Sequence, residues 1–404
     1  METKEQSSVA SEVMQLENEF VLGTYARLPL VFEKGKGVFI EDVNGKKYLD
    51  MVSGLGVNAL GYAHPRMVKV IREQAAKLVH ISNLYYSHYQ GPLAKKLVEM
   101  SGLARVFFSN TGTEAIDGAI KFSRAYAKKH GGEGKFKLVA AKNSFHGRTY
   151  GGMSLTATAK YRDDFKPLLD GVTFVELNDI EGLRAAVSDE TCAVFLETVQ
   201  GEGGIFECSS EYLQEARSLC DQHKAALVLD EIQCGLGRTG EMLAYKHHGV
   251  VPDILTLAKP LAGGLPLGAL VVSQTIAEAV GAGKHGTTFG GGPLACRAAL
   301  EFLSIMEDDK MLDHIRRVGG YFHGELTNLM ETFDIVKEVR GRGLMLALDL
   351  RVPSRPYVEA AMELGVLMNS THDTTIRFLP PFIIEEKHVD KTIKVLKKAL
   401  KKRF

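Results

Sequence analysis

The chain has 404 residues, 49 Lys plus Arg against 49 Asp plus Glu, with 45% hydrophobic and 24% charged residues, the make-up of a globular enzyme with one large and one smaller domain. Balanced charge argues against bulk attraction to nucleic acid or to an acidic membrane, and no apolar run approaches the roughly 18 residues of a membrane span. The first 20 residues lack the apolar core of a secretory signal, and five cysteines, odd in number and without a C-x-x-C pair, fit a reduced cytoplasmic protein.

In chain order, Asn44-Gly45 between the short apolar runs of GVFIEDVNGKKYLDM predicts a hairpin. RVFFS (105–109) reads as a strand. TEAIDGAIKFSRAYAKK reads as a helix with Ile116, Ala119, Ile120, Ser123 and Ala127 on one face. FKLVAAK, GVTFVEL, CAVFLE, ALVLDE, DILTLAK and GALVVS follow as strands, and SSEYLQEARSLCDQHKA as a helix with a serine N-cap. Strands alternating with helices predict an α/β fold with a largely parallel sheet. Beyond about residue 290 the composition shifts. Residues 293–330 read as long and helical, and VKEVRGRGLMLALDL and IRFLPPFII as strand-like. The terminal helix places Val389, Ile393, Leu396 and Leu400 on one face and its lysines on a solvated one. The expected organisation is a large α/β domain (61–290) and a smaller α+β domain built from both chain ends (1–60 and 291–404).

Residues 227–241, LVLDEIQCGLGRTGE, contain G-x-G-x-x-G at Gly235, Gly237 and Gly240. A dinucleotide site needs those glycines immediately after the strand and an acid ending the next strand. Here DEIQC intervenes, and the next strand ends in Lys259. An aspartate ending one strand (Asp230) and a lysine ending a later one suit pyridoxal phosphate instead. The lysine can bond to an aldehyde, and the acid can keep a pyridine nitrogen protonated. A surface lysine and an ordinary strand-end acid are the plain alternative. SNTGTEAIDGA adds a helix start after a strand, where Gly112 and Thr113 offer N–H groups, a hydroxyl and the positive helix end to an anion. An ordinary N-cap explains the same residues taken alone.

The motifs SNTGTEA, SFHGRTYGGMSLT, ETVQGEGG, LDEIQCGLGRTG, LTLAKPLAGGLPLGA, GTTFGGGPLA and RFLPP occur in this order, and together they resemble the class III aminotransferases, pyridoxal 5′-phosphate enzymes of fold type I. The resemblance implies that Lys259 bonds the cofactor, Asp230 pairs with its ring nitrogen, Gln233 approaches its phenolic oxygen, Phe145 stacks on the ring, and Gly112 and Thr113 bind its phosphate. It implies that Thr288 reaches the phosphate of a neighbouring subunit, making a homodimer with shared sites. Arg148 would take a distal substrate carboxylate and Arg377 the α-carboxylate of an oxo acid, with Glu202 as a gate acid that pairs with Arg377 until the oxo acid arrives.

TYARLPL, SGLGVNALGYAHP and SNLYYSHYQGPLAKKLVE resemble the acetylornithine branch of that class, and Gly54 stands where ornithine-specific relatives usually carry tyrosine. The implied reaction moves the terminal amine of N2-acetylornithine to 2-oxoglutarate, giving N-acetylglutamate 5-semialdehyde and glutamate in arginine biosynthesis. Ornithine, succinylornithine, acylated lysine and 4-aminobutyrate are the alternative donors, and Tyr25 and Asn83 further candidates for the donor pocket. Thr198, Phe289 and Gly292 depart from the family's common proline, tyrosine and asparagine. No metal is expected, since His247 and His248 are adjacent and no H-E-x-x-H occurs. A non-catalytic protein retaining the fold is the alternative of a different class, disfavoured by Lys259 and Asp230.

Overall fold

The computed structural model describes residues 2–402; Met1, Arg403 and Phe404, the outermost positions of the terminal spans assigned above, lie outside the described residues. A seven-stranded sheet forms the centre. In spatial order its strands are Arg105–Ser109, Gly268–Val272, Ile254–Leu257, Ala226–Asp230, Thr191–Glu197, Lys137–Ala141 and Val172–Val175. Gly268–Val272 is antiparallel to both neighbours, and the other strands run parallel. Every segment read as a strand between residues 105 and 273 therefore belongs to one sheet.

The three middle strands are buried at every position, as continuous apolar runs covered on both faces require. Alternate residues divide between two cores. Ala193, Phe195, Ala226 and Val228 pack with Ile116, Ala119 and Ile120 of helix Gly112–Gly131. Val194, Leu196, Leu227 and Leu229 pack with Tyr212, Leu213 and Ala216 of helix Ser210–His223. Both helices start at a side-chain cap. Ser209 Oγ accepts from Tyr212 N at 3.1 Å. Thr111 Oγ1 accepts from Glu114 N, and the Glu114 carboxylate accepts from Thr111 N at 3.1 Å and Asn110 N at 2.6 Å, a reciprocal capping box.

Two four-stranded sheets flank this body. In the first, Phe32–Lys36, Phe39–Asp42 and Lys47–Asp50 form antiparallel neighbours, and Val366–Leu367 joins them in parallel beside Lys47–Asp50. Segments from both ends of the chain thus share a sheet. The Asn44-Gly45 hairpin is present, its turn held by Asp42 Oδ1, which accepts from Asn44 N and Lys46 N. In the second, the order is Val336–Arg342, Met345–Leu350, Thr375–Phe378 and Asn369–Thr371. Three predicted segments are refined by this arrangement. Residues 293–330 divide into helices Pro293–Asp308 and Met311–Thr332, separated at Lys310 in a left-handed conformation. VKEVRGRGLMLALDL is two antiparallel strands joined at Gly343. In IRFLPPFII only the start is strand, since Pro380 and Pro381 lack the N–H a ladder needs. The terminal helix Glu386–Leu400 buries Val389, Ile393, Leu396 and Leu400. No helix among the described residues is long and apolar enough to cross a membrane.

Leu229 is fully buried, one residue before Asp230 in a central strand. Leu229→Ala is expected to cost about 2–5 kcal/mol of stability, measured as a lowered midpoint of thermal or urea unfolding.

Candidate active site

A cavity of about 440 Å³ is lined by residues that follow the carboxyl ends of the parallel strands, where open α/β sheets bind ligands. Eight of the residues singled out by sequence line it: Gly112, Thr113, Phe145, Arg148, Glu202, Asp230, Gln233 and Lys259.

Asp230 ends the central strand Ala226–Asp230 and is buried. One carboxylate oxygen accepts from Ile232 N at 3.0 Å and Thr256 Oγ1 at 3.2 Å, and the other bonds His146 Nδ1 at 2.8 Å. His146 is itself buried. Burial disfavours its charged form, but the hydrogen bond to and charge of Asp230, together with Glu197, prevail and raise its pKa above the ordinary histidine value.

Lys259 follows the next strand and opens a short 3-10 turn, with a φ of 32° that a side chain bearing Cβ rarely adopts. Burial lowers its pKa to about 8 with help from Arg377, against Glu202, Asp230 and Glu197, which favour the ammonium. An amine of this kind is far closer to free base at neutral pH than an exposed lysine.

At another wall, helix Gly112–Gly131 presents its first turn, whose N–H groups have no intrahelical acceptor. Thr113 Oγ1 is paired with Thr149 Oγ1 at 2.8 Å. A Cβ at Gly112 would come within 2.7 Å of Ile232, so only glycine lets this helix start and the loop after Asp230 approach so closely. Phe145 lies edge-on to Tyr161, and the Arg148 guanidinium sits 3.9 Å from the Tyr161 ring centre and 5.4 Å from that of Phe145. Among the described residues no carboxylate pairs with Arg148.

Arg377 is buried, on strand Thr375–Phe378. Its Nη1 donates to Glu202 Oε1 at 2.6 Å, Gly201 O at 2.9 Å and Gln233 Oε1 at 3.1 Å, and its Nε to Asn369 Oδ1 at 3.3 Å. Burial alone would raise the Glu202 carboxyl. Arg377, by charge and hydrogen bond, and then Lys259 and Gln233 hold it below its ordinary value instead. The two partners differ in freedom, because the Arg377 side chain is 1% exposed and the Glu202 side chain 28%. The arginine has three acceptors besides Glu202, so removing the carboxylate would leave it anchored.

The remaining candidates lie elsewhere in this chain. Thr288 is exposed and lines a separate depression with Asn110 and Thr287. Asn83 donates to Thr287 O and Gly290 O and so braces the loop that carries Thr288. Tyr25 is 76% exposed and does not line the cavity.

Two titratable residues not assigned a role from sequence also line the cavity, His146 and Glu197. Glu197 ends the strand beside Asp230, in register with it; the strand-end reasoning that finds Asp230 would have found Glu197. Its carboxylate accepts from Phe145 N and Gly201 N, both at 2.9 Å, and burial pushes its pKa up to about 7. Thr198, the departure from proline, donates its hydroxyl to buried Glu231 at 3.2 Å. Glu231 is also pushed up to about 7 by burial and accepts from Ala244 N and Tyr245 N.

The sequence model of the family described as aminotransferase class-III matches residues 23–400. A protein named acetylornithine aminotransferase from Methanocaldococcus jannaschii is 48% identical over 383 residues, covering 95% of this chain and 96% of the relative. Among solved structures, the ornithine aminotransferase of Toxoplasma gondii superposes with a TM-score of 0.93 at 32% identity, covering 97% of this chain and 94% of that one. The acetylornithine aminotransferase of Elizabethkingia anophelis gives 0.86 at 30% identity, covering 97% and 98%.

The lowered pKa of Lys259 gives a direct test on the cofactor-free protein. Only the free base attacks an acylating reagent, and its fraction rises with pH through the pKa. Labelling of Lys259, followed by peptide mass spectrometry, should reach half its maximal rate near pH 8, well below an exposed lysine. In Arg377→Gln the midpoint should move upward, because a cation that opposes the ammonium is gone.

Proposed function

Because this chain belongs to the class-III aminotransferases, we propose that it transfers the terminal amine of N2-acetylornithine to 2-oxoglutarate, as a step of arginine biosynthesis. The observation that carries the reading is the Arg377–Glu202 pair at 2.6 Å beside the Lys259 cavity. One pocket must accept a donor with no carboxylate near its reacting amine and an acceptor with a carboxylate next to its carbonyl. A fixed, buried cation covered by a more mobile acid meets both demands. Covered, it is not an unpaired buried charge, which would cost about 3–5 kcal/mol; uncovered, it offers the oxo acid a bidentate partner.

The residues fit pyridoxal 5′-phosphate. Asp230, oriented by His146, can hold a proton on a ring nitrogen. The first turn at Gly112 and Thr113 offers N–H groups to a phosphate, Gln233 a side-chain amide to the ring's phenolic oxygen, and Phe145 an apolar face. Bound there, the cofactor supplies an electron sink for a carbanion. Lys259 Nζ, whose lowered pKa makes the free base accessible near neutral pH, would take the proton from the amine-bearing carbon and return it in the reverse half-reaction. Asp230 keeps its proton-holding role throughout, and Arg148 binds the carboxylate far from the reacting carbon in both half-reactions.

An acylated donor is supported at Gly54. This residue is exposed, carries no side chain, and lies in a turn of left-handed residues, Ser53 to Gly56, just before cavity-lining Val57. A Cβ at this position would come within 3.1 Å of the Asn58 side-chain nitrogen, so a tyrosine would crowd the turn that glycine leaves clear. A homodimer is supported by Thr288 lying outside its own chain's cavity. It is also supported by the exposed apolar side chains Leu84, Tyr85 and Tyr86, whose segment Asn83 ties to the loop of exposed Phe289. Five buried, unpaired cysteines suit a reducing cytoplasm. The domain division proposed is a large domain over 61–290 and a small one from both ends.

A donor panel with 2-oxoglutarate as acceptor tests the substrate. N2-acetylornithine should give the highest kcat/KM, above ornithine and 4-aminobutyrate, and a preference for free ornithine refutes the assignment. For the gate, Arg377→Gln should lower kcat/KM for 2-oxoglutarate about 100-fold, or about 2.7 kcal/mol, in single-turnover assays, with a much smaller effect on the donor half-reaction. Equal losses in both would count against it.

A further inference from the structure

Arg238 is 1% exposed, and among the described residues no carboxylate accompanies it. Its Nη1 donates to Pro380 O at 2.5 Å and Leu344 O at 3.2 Å, and its own backbone carbonyl accepts from Leu344 N at 3.0 Å. The guanidinium lies 4.3 Å from the ring centre of Phe382. Burial pulls its pKa down to about 9, so it is a cation at neutral pH. A methionine or leucine would fill this space without the desolvation cost of a buried charge, so packing alone does not account for the arginine.

What it grips is specific. Leu344 immediately precedes strand Met345–Leu350, and Pro380 follows strand Thr375–Phe378, which carries Arg377. These strands pair, with Ala347 opposite Arg377. Arg377 also bonds Gln233, which belongs to the same loop as Arg238. The loop that leaves Asp230 therefore holds the Arg377 segment twice, at the Arg377 guanidinium through Gln233 and at the Pro380 carbonyl through Arg238.

We infer that Arg238 is a positioning residue for the oxo-acid half-reaction: it fixes the strand that presents Arg377 relative to the Asp230 side of the cavity. This rests on the reading of Arg377 as the site for the oxo acid's α-carboxylate. Displacement of a binding group by an ångström can cost on the order of 100-fold in rate. The donor half-reaction, in which Arg377 only meets Glu202, should be far less sensitive.

The test compares Arg238→Gln, Arg238→Lys and Arg377→Gln holoenzymes in single-turnover assays of each half-reaction, with hydrogen exchange at the Leu379 and Phe382 amides of the cofactor-free proteins as a second readout. Arg238→Gln should lower kcat/KM for 2-oxoglutarate about 10- to 100-fold, change the donor half-reaction by less than about threefold, and speed exchange at both amides. Arg238→Lys, which keeps one donor for a carbonyl, should recover part of the loss, and it decides by the same split if the glutamine variant does not fold. Equal losses in both half-reactions, or an unchanged oxo-acid reaction while Arg377→Gln is selectively impaired, overturns the inference. If Arg377→Gln also spares the oxo-acid reaction, the reading of Arg377 fails and the inference falls with it.

Discussion

Asp230 is a carboxyl group buried inside the protein, and the cost of burying it shapes its surroundings. Removing such a polar group from water is costly unless hydrogen bonds replace the water. Here they come from Ile232 N, Thr256 Oγ1 and His146 Nδ1. The partners follow from topology, because Asp230 is in register with Thr256 on one neighbouring strand and Glu197 on the other. Two carboxyls so close, in so little water, cannot both ionise freely. Glu197 yields, pushed up to about 7 by burial, with Asp230's charge adding to the shift. On the far side of Asp230 the same burial pulls Lys259 down to about 8. Perturbed groups of this kind, a carboxyl pushed up and an amine pulled down around one cavity, are what functional sites collect.

The Arg377–Glu202 pair is held in a different way. Glu202 lies in a loop whose backbone carbonyls are held by the C-terminal sheet. Gly201 O accepts from Arg377, Glu202 O from Thr371 Oγ1, and Gly204 O from Arg340. These bonds tie the loop backbone down while the Glu202 side chain stays 28% exposed, so forming the pair asks for the ordering of one side chain and not of a loop.

Much of this was legible in the sequence, for identifiable reasons. Buried parallel strands are short apolar runs, so those between 105 and 273 stand out, and residues at their ends point to the cavity. Asn44-Gly45 and Ser209 report local chemistry that needs no tertiary context. The helical stretch at 293–330 concealed a break at Lys310, because a left-handed lysine leaves no glycine or proline to mark it. The strand-like run at 376–384 stopped early because apolar residues persist beyond the prolines, packed as irregular chain. His146 was visible between Phe145 and Arg148, but its bond to Asp230 joins residues 84 positions apart. Tyr25, Asn83 and Thr288 stand apart from the cavity of their own chain, and no spacing along one chain reports what a second chain would bring to them.

The turn around Gly54 and the segment around Arg377 are not independent. Ser53 and Leu55 hold left-handed conformations, each a cost of order 1–3 kcal/mol that surrounding contacts must offset. Asp50 Oδ1 accepts from Val52 N and Ser53 N, and Ser53 Oγ donates to Leu379 O at 2.6 Å. Leu379 N in turn donates to Met51 O. The turn with the open position at Gly54 is therefore fastened to the segment that begins with Arg377 and continues to Pro380, the residue Arg238 grips. One stretch, Arg377 to Phe382, receives the turn before Val57, the loop after Asp230 and the Glu202 carboxylate. A substitution that relaxed the strained turn would act on that stretch as well, so the shape of the turn at Gly54 and the placement of the Arg377 guanidinium are set by the same contacts.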